Sequence, residues 1–276
     1  MPIDNSFLVR KIRTRESMVV AYSAVTNMSF VVCDPETFND QVWIFENETL
    51  LQDFAKTYSS RKIPLRGVKY LTKDFLSFFS SLFLIDVNEL VFVNEAATMK
   101  LDLDKLVQKP DYSKIPAANV PVSNPSLQLT GLYFVQEASR AVPADQKDLS
   151  DLQEELSVNL VRARFLVAID PSAGNETIEE KLRQGKFQAV LIKAKNGDVF
   201  QPLFTDMVEF QKFSRKKRLV TVAMPYAALP RLLSIEAKGF VLNPAGFHIM
   251  LPRELINGLQ NVAQPDTGNV APVMKK

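Results

Sequence analysis

Cysteine, histidine and tryptophan occur once each in 276 residues, and there are only nine glycines. A lone Cys33 excludes an intramolecular disulfide. One cysteine and one histidine, far apart in sequence, make no zinc ligand set. No loop has the alternating acidic spacing of an EF-hand, so no metal is expected, with an all-carboxylate Mg²⁺ or Ca²⁺ site left open. Neither G-x-G-x-x-G nor G-x-x-x-x-G-K-[ST] is present, so no Rossmann or P-loop phosphate cradle and no cofactor are expected. Long apolar runs are missing too. The most apolar stretch, Phe75 to Ile85, is closed off by Lys73-Asp74 and Asp86, whereas a membrane span needs about 20 apolar residues. The first six residues, Met1 to Ser6, have neither the basic nor the apolar region of a signal peptide. Charge of one sign is also lacking: 33 basic against 31 acidic residues leave +2, which argues against a nucleic-acid partner. The expectation is a soluble, cytoplasmic protein with neither membrane nor nucleic acid as partner.

What is present is an ordinary globular balance, 46% hydrophobic and 23% charged. A chain this long buries roughly three quarters of its unfolded surface and needs no covalent staple. Four of its 16 prolines (Pro110, Pro116, Pro121 and Pro125) fall within Lys109–Pro125. Proline removes a backbone donor and pushes the preceding residue towards extended conformations. Residues 109–126 therefore read as a linker between 1–108 and 127–260, and residues 261–276 as an unstructured tail.

The two halves resemble each other. At an offset of 159, Phe45 meets Phe204, Gln52 meets Gln211 and Phe54 meets Phe213. Each block has an apolar pair, a capping-type residue (Asn47 or Asp206) and then apolar residues at helical spacing. Asp206 with Glu209 has the form of a capping box. A second match, at an offset of 149, sets Leu90–Asn94 against Gly239–Asn243 and Leu106 against Leu255, making the first half ten residues longer between the blocks. Beyond Asn94 and Asn243 the apolar alternation of the halves runs one residue out of step.

Periodicity and turn chemistry predict strands at 29–33, 42–45, 63–70, 90–94 and 98–101, and helices at 48–58, 72–84 and 103–108. In the second half they predict strands at 164–170, 188–194, 199–203, 219–223, 239–243 and 247–251. Asn196-Gly197 marks a hairpin. Helices are expected at 148–160 and from Pro252 through Leu259, with short ones opened by Pro225 and Pro230. The fold class is α+β (or α/β): two small mixed-sheet domains with packed helices, related as a diverged tandem duplication.

The second half resembles the SseB N-terminal domain family, named for enhanced serine sensitivity. The residues that carry this are Gln201-Pro202-Leu203-Phe204-Thr205-Asp206, Leu229-Pro230-Arg231-Leu232-Leu233 and Gly239-Phe240-Val241-Leu242-Asn243-Pro244-Ala245-Gly246. The resemblance covers residues 185–258. A weaker copy spans 27–108 through Ile44-Phe45-Glu46 and Phe92-Val93-Asn94-Glu95, with Glu46 where the family has Thr and Glu95 where it has Pro. The resemblance implies a small bacterial α/β domain with no established enzymatic activity and no catalytic residue to carry over.

The residues themselves name no catalytic, cofactor or metal site. His248 reads as an outward-facing strand residue rather than a general base, there being no second histidine to support it. Cys33 reads as a buried strand-end cysteine, the commoner case, rather than an exposed thiol. Arg215-Lys216-Lys217-Arg218 suits a helix C-terminus, where cations oppose the dipole; contact with nucleic acid or an acidic partner is the alternative. Most of the 19 phenylalanines, among them Phe75, Phe78, Phe79 and Phe83, are expected in the core. Thr205 and Asp206 read as capping residues and Asn243–Gly246 as a turn, the alternative being that Thr205, Asn243 and His248 converge on one concavity. The expected function is non-catalytic, an interaction or regulatory protein that binds a protein partner or small ligand. The alternative is an enzyme using carboxylate acid–base chemistry.

Overall fold

The computed structural model describes residues 6–170, 188–215 and 218–263. The first half runs α1 (Ser6–Arg13), β1 (Ser17–Ser23), β2 (Val31–Cys33), β3 (Asp40–Phe45), α2 (Glu48–Ser60), β4 (Leu65–Leu71), α3 (Thr72–Leu82), β5 (Glu89–Val93), β6 (Thr98–Asp102) and α4 (Leu103–Leu106). Helix α5 (Pro125–Ala138) follows. The second half runs α6 (Ser150–Arg162), β7 (Arg164–Asp170), β8 (Gln188–Ala189), β9 (Ile192–Lys193), β10 (Val199–Phe204), α7 (Met207–Ser214), β11 (Val220–Pro225), α8 (Leu229–Leu232), β12 (Gly239–Leu242), β13 (Ile249–Pro252) and α9 (Arg253–Ala263).

One topology occurs twice. The first sheet has the order β4-β1-β3-β5-β6 with β2 beside β3, and the second β11-β7-β10-β12-β13 with β9 beside β10. In each, one pair is parallel (β3–β5, β10–β12) and its neighbours are antiparallel. The 159-residue match is structural. Phe45 contacts Phe54 with ring centroids 5.2 Å apart, and Phe204 contacts Phe213 in the same way at 5.4 Å. These rings pin α2 and α7 to the outer faces of their sheets.

The second match needs a correction of one residue. Ile44 pairs with Phe92, and its counterpart Leu203 pairs with Leu242, so the offset is 150 and not 149. Leu90 then corresponds to Phe240, Leu101 to Leu251 and Leu106 to Ile256, and all six are in the core. Leu255, the earlier partner of Leu106, is exposed. A slip of one residue sends every strand side chain to the opposite face, which is why the apolar alternation fell out of step at 149. The first half is thus nine residues longer between the blocks, and Asn243 corresponds to Val93 rather than to Asn94.

The inner faces of both sheets belong to one continuous core, from Leu8 and Met18 through Leu127 and Leu132 to Phe247 and Ile256. Each outer face has its own smaller cluster, around Phe45 and Leu51 in the first half and Phe204 and Phe210 in the second. Helix α5 stands between the halves. Its Gly131 lies beneath the Phe247 ring, where a Cβ would come within 3.0 Å of Cζ. Its Gln136 brackets strand β2, accepting from Val31 N at 3.4 Å and donating to Val31 O at 3.1 Å.

Three elements were not read from the sequence: α1, β1 and α5. Strand β1 is central and α5 is buried on several sides, so neither shows a clean polar face. Residues 109–124 hold a turn at Tyr112–Ile115 and a 3-10 turn at Ala117–Asn119, and Pro125 already opens α5. The predicted strand at 188–194 is two short strands, β8 and β9. Helix α9 continues through Ala263, past the expected end of order at 260, and the tail expected beyond 263 lies outside the described residues.

Candidate functional site

The parallel strands β10 and β12 end side by side, and the residues just beyond them build the site. Ligands of α/β sheets bind at such carboxyl ends. Asn243 donates from Nδ2 to Thr205 Oγ1 at 2.9 Å, and its Oδ1 accepts from Thr205 N at 3.0 Å. Thr205 Oγ1 donates in turn to Asp206 Oδ2 at 2.8 Å. Asp206 Oδ1 caps α7 by accepting from Val208 N at 2.8 Å and Glu209 N at 3.0 Å. Asn243 adopts a positive φ of 48°, a conformation asparagine tolerates better than most residues. Thr205, Asp206 and Asn243 are all buried.

Helix α5 adds Gln128. Its Nε2 donates to Asp206 Oδ2 at 2.5 Å and to Leu84 O of the first half at 3.2 Å. The same side chain therefore ties the cap of α7 to the other half of the molecule. Glu209, in the first turn of α7, is 1% exposed. Its Oε1 accepts from Lys212, and Oε2 has no hydrogen-bond partner among the described residues. The reciprocal half of the expected capping box is thus not formed. Oε2 packs against Gly246, where a Cβ would lie 2.5 Å from it. Burial pushes the Glu209 carboxyl up, as does the neighbouring Asp206, while Lys212 opposes both.

Of these groups Gln128, Asp206, Glu209 and Lys212 line a cavity of about 230 Å³ at the seam between the halves, while Thr205 and Asn243 do not. Asp206, Val208, Glu209 and Lys212 form one wall, Gln128 sits at the seam, and Tyr22, Tyr70, Ser29 and Ser81 come from the first half. The hydroxyls of Tyr22 and Tyr70 are 2.7 Å apart. Burial and this hydrogen bond raise the Tyr70 phenol well above its usual range. The site thus combines two carboxyls, an ammonium, a carboxamide and a phenol pair.

Of the three residues named from sequence, the structure joins the side chains of Thr205 and Asn243, ties His248 to Asn243 only through its backbone N–H, and places none of the three in the lining of the cavity. His248 is not on a strand face as expected. It sits exposed in the turn before β13 with a φ of 54°, its Nδ1 3.4 Å from Pro244 O. Cys33 is exposed rather than buried, because β2 is a short strand beside β3 and its last residue faces solvent. Its thiol is pushed up by partial burial and by Asp40 and Asp34. In the basic run, Arg215 is the C-cap of α7, while Lys216 and Lys217 lie outside the described residues. Phe75, Phe78 and Phe79 are buried, and Phe83 packs against the same core. Sequence reasoning did not find Gln128, Glu209, Tyr22 or Tyr70 as site residues. The Asp206-x-x-Glu209 spacing was a signal for Glu209 alone, since the others reach the cavity only through tertiary packing. Among the described residues no three of His, Cys, Asp and Glu are grouped to hold a metal ion, and no helix is long and apolar enough to cross a membrane.

Residues 139–257 match the SseB protein N-terminal domain, the family that the second half resembles in sequence. The match takes in the whole second sheet, from α6 to the start of α9. No curated protein matches the chain. Among solved structures it is similar to Anabaena Tic22 (protein transport) at 9% identity, over 79% of this chain and 82% of that one, with a TM-score of 0.21.

Proposed function

We propose that this chain, whose second half carries an SseB N-terminal domain, is a non-catalytic binding protein that holds its ligand in the cleft between the halves. One observation carries the reading: a cavity at the carboxyl end of β10, walled by polar groups from both repeats. Clefts at the boundary between structural units, with a few convergent polar groups, are preferred ligand seats. In the same reading residues 1–108 are a diverged copy of the domain, 109–126 join it to 127–260, and the protein is bacterial and cytoplasmic.

The chemistry of the lining favours holding over turnover. Asp206 is committed to capping α7, and its neighbours Thr205 and Asn243, which are not in the lining, are committed to each other. The Tyr70 phenol is displaced away from neutrality, whereas a general base works best near the operating pH. Glu209 is the residue on which the enzyme alternative rests, because a buried carboxyl with a raised pKa suits general acid–base work.

Differential scanning fluorimetry against a metabolite panel, run beside broad activity screens, separates the two readings. A melting shift that Tyr70→Phe diminishes, without turnover, supports binding. Reproducible turnover abolished by Glu209→Gln would replace it with the enzyme reading.

A further inference from the structure

The hairpin that joins β2 to β3 differs from its counterpart between β9 and β10 at one position. The offset of 159 that relates β3 to β10 also sets Phe38 against Gly197, and the two hold the same place in their turns. Each donates its N–H to the carbonyl of the first turn residue, Phe38 to Asp34 at 2.9 Å and Gly197 to Ala194 at 3.0 Å. Both have a positive φ, 57° for Phe38 and 90° for Gly197. Glycine adopts such a backbone without steric cost, whereas for a bulky side chain it is an outlier. The phenylalanine ring gains no burial to offset this, since Phe38 is 77% exposed.

The rest of the loop holds Phe38 in one place. Asp34 Oδ1 accepts from Glu36 N at 2.9 Å and from Thr37 N at 3.1 Å, and Asp34 N donates to Asn39 O at 2.9 Å. Asp34 is itself buried, paired with Lys100 and bonded by Gln41. Asn39 is clamped between Asn88 and Glu89. A loop ordered before contact loses less freedom on binding, and phenylalanine is among the residues enriched in protein interfaces.

The surface beside the ring is acidic. Asn39, the next residue, lines a hollow of about 290 Å³ together with Asp86, Asp102, Asp104 and Lys109. Lys105 answers Asp104 at 3.4 Å, while Asp86 and Asp102 have no ion-pair partner among the described residues. The exposed Glu36 adds a carboxylate on the loop itself. This negative surface occurs in a chain of net charge +2. It repels the phosphates of lipid and nucleic acid and attracts Lys and Arg. Neither Phe38 nor the hollow shares a residue with the cleft between the halves. We propose that Phe38 and the acidic hollow form a second, separate docking surface, for an amphipathic basic segment of another protein. The apolar face of that segment receives the Phe38 ring, and its Lys or Arg side chains enter among Asp86, Asp102 and Asp104.

The test uses the full chain and four probes: an amphipathic leucine–lysine peptide, its leucine–glutamate counterpart, decalysine, and phosphatidylglycerol vesicles. Isothermal titration and chemical-shift perturbation follow the peptides, and co-sedimentation follows the vesicles. The expected result is saturable binding of the leucine–lysine peptide above the others, with shifts at Phe38, Asn39 and Asp102. Phe38→Asn, which suits a left-handed backbone, is expected to weaken it tenfold or more while keeping or raising the midpoint of urea denaturation. Asp102→Asn combined with Asp104→Asn is expected to weaken it and flatten its salt dependence. Unchanged affinity in Phe38→Asn overturns the proposal, and a lowered midpoint overturns it too by assigning the ring to the fold. Equal binding of decalysine removes the apolar anchor, and preference for the leucine–glutamate peptide removes the charge match; either overturns it. Tighter binding to vesicles gives the surface to a membrane, and a dimer that Phe38→Asn dissociates in sedimentation gives it to a second copy of this chain, each in place of the proposal. Silence at Phe38 with every probe also overturns it, and the metabolite panel reads the other cleft independently.

Discussion

Asn243 and Thr205 grip each other through two hydrogen bonds, one to a backbone N–H and one to a hydroxyl, with neither residue exposed. The corresponding positions of the first half are Val93 and Glu46, so the clasp belongs to the second repeat alone. Asn243→Ala leaves Thr205 N without its acceptor and places alanine at a φ of 48°. An unpaired buried donor and a left-handed non-glycine backbone together are expected to cost about 3 kcal/mol. The midpoint of urea denaturation measures this, and Thr205→Val is expected to cost less because the backbone N–H of residue 205 keeps Asn243 Oδ1 as its acceptor.

A shared core implies shared unfolding. The inner faces of both sheets join through α5, which sets Gly131 against Phe247 and Gln128 against Asp206 and Leu84. Fluorescence of Trp43 in the first half and far-ultraviolet circular dichroism are expected to report one coincident transition. A fragment limited to residues 139–257 lacks α5, and it is expected to be markedly less stable and to bind an apolar dye. Two separated transitions would refute the shared core.

Gly131→Leu should be among the most damaging substitutions in the chain. Even a Cβ there meets Cζ, Cε2 and Cε1 of Phe247 between 3.0 and 3.3 Å, and overpacking of a close-packed core costs about 1–3 kcal/mol, sometimes more. Gly131→Ala is expected to be milder, since a small shift of one ring accommodates a methyl. Melting temperatures of the two variants give the order directly.

Glu209 makes stability depend on pH with a definite sign. Its carboxyl is raised in the folded state, mainly by burial and also by Asp206, against the lowering influence of Lys212. The folded protein therefore holds this proton more tightly than the unfolded chain. The associated stability is present below the ordinary glutamate value of about 4.3 and is lost as pH rises through the folded value. Over that same window Asp34, lowered chiefly by Lys100 and by the backbone amides of Glu36 and Thr37, already makes its contribution, and it loses it only at more acid pH. Comparing urea midpoints of the parent and Glu209→Gln from pH 4 to 7 isolates the Glu209 contribution. The parent should lose stability relative to the variant as pH rises.

Cys33 offers a simple probe of local electrostatics. The thiol is exposed, yet partial burial and the carboxylates of Asp40 and Asp34 raise its pKa. Because the thiolate is the nucleophile, reaction with a disulfide reagent at neutral pH should be slower than for a free cysteine. Asp40→Asn should speed it. A rate at or above that of the free amino acid would contradict this arrangement.

The amino-acid sequence by itself determined the repeat and most of the strand ends. Phe45 with Phe204 and Phe54 with Phe213 are large rings at fixed spacing from a capping residue, and that local chemistry forms the same strand-to-helix corner wherever it occurs. Tertiary structure decided the register of the second match, because sliding Leu90–Asn94 by one residue against Gly239–Asn243 changes which face is buried but little of its apolar content. It alone also decided the place of α5 and the site. A helix buried on several sides loses the polar face by which periodicity is read, and Gln128, Glu209, Tyr22 and Tyr70 become neighbours only when two sheets close over one core.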